Sequence, residues 1–160
     1  MPRPCSIILR VAQRFAWQQK SFSQLTAATL YDILALRQAV FVVEQACAYL
    51  DADGYDAVAH HIWAQQDHAL VAYARVLPAG SKLPAVSIGR VIVAPAFRGQ
   101  GVAHELMAQA LVCADDLWGP GPRELDAQAH LTALYAAHGF VATGHPFVED
   151  GIPHEHMRRA

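Results

Sequence analysis

The sequence predicts a single mixed α/β domain in which one sheet is covered by helices. Three observations lead there. The 160 residues are 54% apolar and 16% charged, enough to bury one substantial core and too apolar for a disordered chain. Stretches of helical periodicity alternate with β-branched or alternating runs. Gly- and Pro-rich turn signals separate these segments, with no internal repeat and no low-complexity tract.

Residues 1–16 read as a loosely ordered N-terminal extension. Arg3, Arg10 and Arg14 lie there, and no acidic residue precedes Asp32. The charge is that of a transit peptide, but hydroxyl residues are scarce and no small-residue cleavage pattern follows an apolar core. The folded domain is expected over residues 17–160. Thr26 is placed to cap a helix whose Leu30, Ile33, Leu34 and Val40 follow helical spacing. "CAYLDADGYDA" reads as a loop whose Asp51, Asp53 and Asp56 decorate it. His60–Gln65 and Ala69–Leu77 read as neighbouring strands, with Val71, Tyr73, Arg75 and Leu77 on one face of the second.

Pro78, Gly80 and Pro84 turn the chain into a strand over Val86–Ala94. Its apolar end suits burial on both faces, and Gly89 marks a bulge or a close backbone approach. A helix from near Gly101 carries Val102, Leu106, Ala110, Cys113 and Leu117 on one face and stops at "GPGP". "RELDAQ" forms a short strand. Leu131, Leu134, Tyr135 and His138 share a helical face that ends at a left-handed Gly139 followed by apolar Phe140. Strands from Phe140 and near His154 to Met157 complete the sheet. The order is α, β-β-β, α, β, α, β and a final strand.

Composition excludes several functions. A net charge of −2 does not suit a general nucleic-acid binder. No apolar run reaches the roughly 18 residues of a membrane span, and the protein is expected in the cytoplasm. Cys5, Cys47 and Cys113 are odd in number and irregularly spaced, which fits reduced thiols. "DADGYD" is not a calcium loop, because Gly54 is its fourth position and Ile62 stands where the bidentate Glu belongs. His154 and His156 share a strand face, but no second histidine cluster has ligand spacing, so no metal is expected.

The stretch "VIVAPAFRGQGVAHEL" carries the chemistry. A helix starting at Gly101 presents unpaired N–H groups and a positive dipole end. Gly99 and Gly101 remove Cβ atoms in front of those donors, and Arg98 adds a fixed charge suited to phosphate. The result is an anion cradle. It is neither a nucleotide P-loop nor GxGxxG, since position 104 is His.

Val91-Ile92-Val93-Ala94-Pro95 followed by Arg98-x-x-Gly101-x-Ala103 resembles the acetyl-CoA signature of the GNAT superfamily of N-acyltransferases. "LYAAHGF" resembles that family's second signature. Together with "FVVEQACAYLDADGYD" and "EDGIPHEHM", these motifs resemble its ElaA-type branch from about Trp17 to Met157. The resemblance implies a mostly antiparallel central sheet flanked by helices and a loop that holds the pyrophosphate of CoA. It implies acetyl-CoA as co-substrate, with Val91, Ile92, Val93, Arg98, Gly99, Gln100, Gly101, Val102 and Ala103 as its binding residues. Pantetheine would lie between the Gly89 strand and the "RELDAQ" strand. A backbone N–H of Ile92 or Val93, turned by a bulge near Gly89 to Val91, would meet the thioester oxygen.

Tyr135 is the implied general acid, a phenol protonated at neutral pH that can hand its proton to the leaving thiolate. The base is open: Glu149 and Glu44 are candidates, Asp150 and His154 are alternatives, and ordered water can serve instead. The implied activity is direct transfer of acetyl to a primary amine of a small molecule or polypeptide, and the resemblance leaves room for a homodimer. A non-catalytic acyl-CoA sensor is the alternative, though it would have no use for Tyr135.

Overall fold

The computed structural model describes residues 14–160, so residues 1–13 of the expected extension lie outside the described residues. One seven-stranded sheet runs in the order β1-β2-β3-β4-β5-β7-β6. Its strands are β1 (Ala16–Ser21), β2 (His60–Gln66), β3 (Ala69–Leu77), β4 (Val86–Val93), β5 (Arg123–Gln128), β6 (Val141–Glu149) and β7 (Ile152–Arg159). Every neighbouring pair is antiparallel except β4–β5. Helix α1 (Ala27–Arg37) continues as a π-helical turn over Gln38–Glu44, α2 is Val102–Trp118, and α3 is the short Thr132–Ala136.

The helix starts follow from capping. Thr26 Oγ1 accepts a hydrogen bond from the Thr29 N–H at 3.1 Å, satisfying a donor that the first turn of α1 leaves free. α2 begins after Gly101, whose left-handed φ of +80° aims the following N–H groups along the helix axis. α3 ends as its sequence implies: Gly139 N–H donates to Ala136 O (3.0 Å) and Phe140 N–H to Tyr135 O (3.2 Å). These two bonds form a Schellman closure.

Side-chain alternation divides the core into two layers. On one face, Leu106, Met107 and Ala110 of α2 pack with Ile62, Val76, Ile88, Leu125 and Met157. On the other, Ile33 and Val40 pack with Trp63, Tyr73 and Ile92. Burial on both faces explains the continuous apolar run that ends β4.

Two differences from the sequence reading stand out. Strand β1 was not anticipated, and Phe15 before it is buried in the α2-side core, so the domain begins before residue 17. "AWQQKS" is an edge strand paired only with β2 and largely exposed, so it needs no apolar alternation. β7 inserts between β5 and β6, leaving β6 as the other edge with all nine residues exposed.

Candidate active site

The parallel pair β4–β5 is joined only at Val86–Arg123 and Ser87–Glu124. Beyond those positions the strands part, opening a gap in the middle of the sheet. A cavity of about 810 Å³ occupies it. Leu131, Leu134 and Tyr135 line it on the α2 side, and Phe41 and Tyr49 on the α1 side, so one cavity passes through the sheet.

A bulge in β4 shapes the gap. Tyr73 pairs with Ile92 and Arg75 with Gly89, which leaves Arg90 and Val91 opposite Ala74 alone. The bulged residue is Arg90 at φ +54°, one position beyond the glycine that sequence reading singled out. Ala94 N–H donates to Val71 O at 2.8 Å. Antiparallel alternation then directs the Ile92 N–H toward β3 and the Val91 and Val93 N–H groups toward the gap. The Val93 carbonyl points the same way, accepting from Arg98 Nε at 3.0 Å. Of the two donors expected, Val93 is therefore the one that faces the cavity.

The glycine-bearing loop expected to hold phosphate follows β4. Gly99 and Gly101 have φ of +71° and +80°, and nothing lies within 4 Å of where either Cβ would stand. The backbone conformation itself demands these glycines, and the space before them is open to a ligand. Gly99, Gly101, Val102 and Ala103 all line the cavity. Gln100 turns back, its Nε2 donating to Ala96 O at 3.2 Å. Arg98 does not stand free: it pairs with both oxygens of Glu44 at 2.7 and 3.1 Å. That hydrogen bond holds the Glu44 carboxyl below its ordinary pKa, which makes Glu44 a holder of Arg98 and a poor proton acceptor.

Tyr135 sits on α3 at the cavity wall, 5% exposed, with its ring edge-on to Phe140 at 6.4 Å between centroids. Burial alone pushes its phenol up to about 12. The hydroxyl thus keeps its proton across the physiological range.

The acidic loop is not surface decoration. Asp51 is 4% exposed, while Arg37 and Arg75 are 0% and 1% exposed. Arg37 Nε donates to Asp51 at 2.7 Å and its Nη1 to Asp56 at 2.7 Å. Arg75 Nη1 donates to Asp53 at 2.7 Å and to Asp56 at 2.9 Å. Arg90 Nε lies 2.7 Å from Asp51 in an ion contact, and its Nη2 donates to Asp53 at 3.2 Å. The bulged strand is thereby tied to the loop that walls the α1 side of the cavity. Burial favours neutral Asp53, but hydrogen bonds and charge from Arg75, with Arg90 beyond, hold its carboxyl far below the usual range. Sequence reading missed this network because its partners are 14 to 39 residues apart; the signals were Arg75 and Arg90, each inside an apolar strand.

Other candidates also find places. Glu149 and Asp150 are exposed at the β6–β7 turn and line the cavity mouth, as does His154. His154 stacks on Phe147 and its Nδ1 is 2.8 Å from Ile152 O. On the same sheet face, His156 Nδ1 is 2.8 Å from Asp126 Oδ1; neither residue of this pair was singled out for catalysis from sequence. Among the described residues no group of three or more His, Cys, Asp or Glu side chains is arranged to hold a metal ion. Cys47 and Cys113 are buried thiols, and burial together with Asp116 pushes Cys113 up to about 11. That is the environment of an inert thiol. No helix among the described residues is long and apolar enough to cross a membrane.

A split parallel pair, a bulge aimed into the split and a glycine-bearing loop before a helix define an acyl-CoA transferase type of site. Residues 33–160 match the Acetyltransferase (GNAT) domain family, and the chain belongs to it. It is 45% identical over 145 residues to Protein ElaA of Escherichia coli K12, covering 89% of this chain and 95% of that one. The crystal structure of an acyl-CoA N-acyltransferase from Pseudomonas aeruginosa superposes with a TM-score of 0.87 at 47% identity, covering 91% of this chain and 99% of that one. E. coli ElaA superposes with a TM-score of 0.86 at 43% identity, covering 91% and 99%. The acyl-homoserine-lactone synthase LasI shares the fold, with a TM-score of 0.73 at 15% identity over 90% of this chain and 88% of that one.

Proposed function

We propose that the protein moves an acetyl group from acetyl-CoA directly to a primary amine of a small molecule or polypeptide within a ternary complex. The observation that carries this reading is the single cavity through the split between β4 and β5, with the phosphate loop at one end and Tyr135 on its wall. A thioester entering from the loop side and an amine entering from the α1 side meet at the bulge.

The pyrophosphate takes the N–H groups of Gly99 to Ala103, with Arg98 beside them. Pantetheine lies along β4 in place of the missing β5 ladder. The Val93 N–H meets the thioester oxygen, where such a donor is worth on the order of 3 kcal/mol. The amine nitrogen attacks the carbonyl carbon, gives its surplus proton to water once the N–C bond has made it acidic, and the C–S bond breaks with its electron pair on sulfur. Tyr135 gives that sulfur its phenolic proton and regains one from solvent. Ile92 and Val93 crowd the thioester and suit a short acyl chain. Exposed Glu149 at the mouth draws in the ammonium form of the acceptor. The reaction takes place in the cytoplasm.

The test is thiol release from acetyl-CoA across a panel of primary amines, with the acetylated product identified by mass spectrometry. Amine-dependent release supports the reading. Tight acetyl-CoA binding with no transfer to any amine overturns it in favour of a sensor.

A further inference from the structure

We propose that Asp126 and His156 together form the base that deprotonates the acceptor amine. This rests on the transferase reading and assigns the proton that reading leaves unplaced.

Strand parity puts Asp126 on the acceptor side. Leu125 and Ala127 are buried in the α2-side core, so Glu124, Asp126 and Gln128 point to the other face of β5. Gln128 confirms the parity by donating to Gln45 at 3.0 Å, just past the π-helical turn. Tyr135 packs in the α2-side core. Acid and base therefore approach the reacting carbon from opposite faces of the sheet, as a direct transfer between two bound substrates needs.

Position along the strand agrees. The β4–β5 ladder ends at Ser87–Glu124, and continuing its register would set Asp126 across the gap from Gly89, beside the bulge. Asp126 lines the cavity and is 26% exposed. It has a carboxylate where the amine arrives, and among the described residues no guanidinium pairs with it. Its described side-chain partner is His156, its direct opposite on β7. Behind the imidazole, His156 Nε2 lies 3.9 Å from Glu124 Oε1. Glu124 is itself fixed by the Ala85 N–H at 3.0 Å and by Arg158 at 3.4 Å.

The proton steps balance. An ammonium N–H bond breaks and an O–H bond forms on Asp126. Its other oxygen accepts from the Nδ1–H of His156 at 2.8 Å, which holds the carboxyl in place. Asp126, 26% exposed, then returns the proton to solvent. Asp126 touches the substrate, whereas His156 acts through Asp126. An ordinary cross-strand ion pair would hold the sheet together but make no distinction between acceptors.

That distinction supplies the test. Hydroxylamine is neutral at pH 7 and needs no deprotonation before it attacks, whereas 2-phenylethylamine arrives protonated; its apolar ring suits the cavity wall at Phe41 and Leu83. Asp126→Asn is isosteric, and His156→Gln probes the pair from the other strand. Acetyl-CoA titration of each variant reports that the fold and the CoA seat persist. Loss of the base is expected to lower kcat about 10²-fold with 2-phenylethylamine and less than about threefold with hydroxylamine, with the KM for acetyl-CoA within about twofold. Equal losses with both acceptors, or no loss with either, overturn the assignment while leaving the transferase intact. Wild-type protein that binds acetyl-CoA but acylates no amine of the panel, these two included, overturns the transferase reading, and this assignment with it.

Discussion

Arg98 and Glu44 join the glycine loop before α2 to the π-helical turn after α1 through two parallel hydrogen bonds of 2.7 and 3.1 Å. Both side chains are more than two-fifths exposed, so the pair is open to exchange. In the proposed site an incoming pyrophosphate would compete with Glu44 for the same guanidinium.

Removing that competitor has a defined effect. Glu44→Gln keeps the shape and removes the charge, and the acetyl-CoA Kd is expected to fall about threefold as Arg98 is released to the phosphates. Stability should change by less than about 1 kcal/mol, as for other exposed pairs. The sign with pH follows from the lowered Glu44 carboxyl: its contribution is present above the usual glutamate range and is lost as pH falls through the lowered value. Calorimetry and thermal melts check both parts.

The buried arginine–aspartate network predicts an acid-labile fold. Burial opposes ionised Asp53 and Asp56, but hydrogen bonds from Arg75 and Arg37 outweigh it and lower both carboxyls. Their stabilisation is complete above about pH 4 and is lost as pH falls below the unfolded carboxylate value of about 3.9. Asp53→Asn is expected to cost about 3 kcal/mol at pH 7, since it leaves Arg75 short of a partner. Denaturant titrations at pH 7 and pH 3 should show the variant closing on wild type at the lower pH.

Tyr135→Phe removes one oxygen from a side chain that burial alone perturbs. The expected result is a kcat lower by about 10²-fold with the acetyl-CoA KM nearly unchanged. With the phenol near 12, loss of its proton should produce no alkaline limb below about pH 10. A pH–rate profile of wild type and variant checks this.

Gly139→Ala tests the closure of α3. The glycine has φ +86°, and an added Cβ would stand 3.3 Å from Arg159 Nε. A stability loss of about 1 kcal/mol or more is expected from the strained left-handed residue, read as a lower melting temperature.

Much of this arrangement was legible in the sequence wherever a local pattern carried it. Thr26, Gly101 and Gly139 mark helix boundaries through chemistry confined to one turn, and "RELDAQ" and Ala69–Leu77 match strands β5 and β3 end to end. The left-handed glycine turn before α2 could be read because Gly99 and Gly101 stand together. What stayed hidden depends on distant partners. Edge strand β1 is defined by pairing with β2, not by burial. Asp51, Asp53 and Asp56 look like solvated loop residues until Arg37, Arg75 and Arg90 are folded against them. Asp126 and His156 meet only because β7 enters the sheet beside β5, a topology that no local spacing encodes.

In the proposed site the loop from Arg98 to Ala103 seats the pyrophosphate of an acyl-CoA. The most direct measurement is calorimetric titration of the wild-type chain with acetyl-CoA and, in parallel, with S-acetylpantetheine, which carries the same thioester without phosphates. The account predicts one acetyl-CoA bound per chain and binding of S-acetylpantetheine weaker by roughly 10²-fold, the worth of one or two charge-assisted hydrogen bonds. Equal affinity for the two compounds, or no binding of acetyl-CoA, would contradict it.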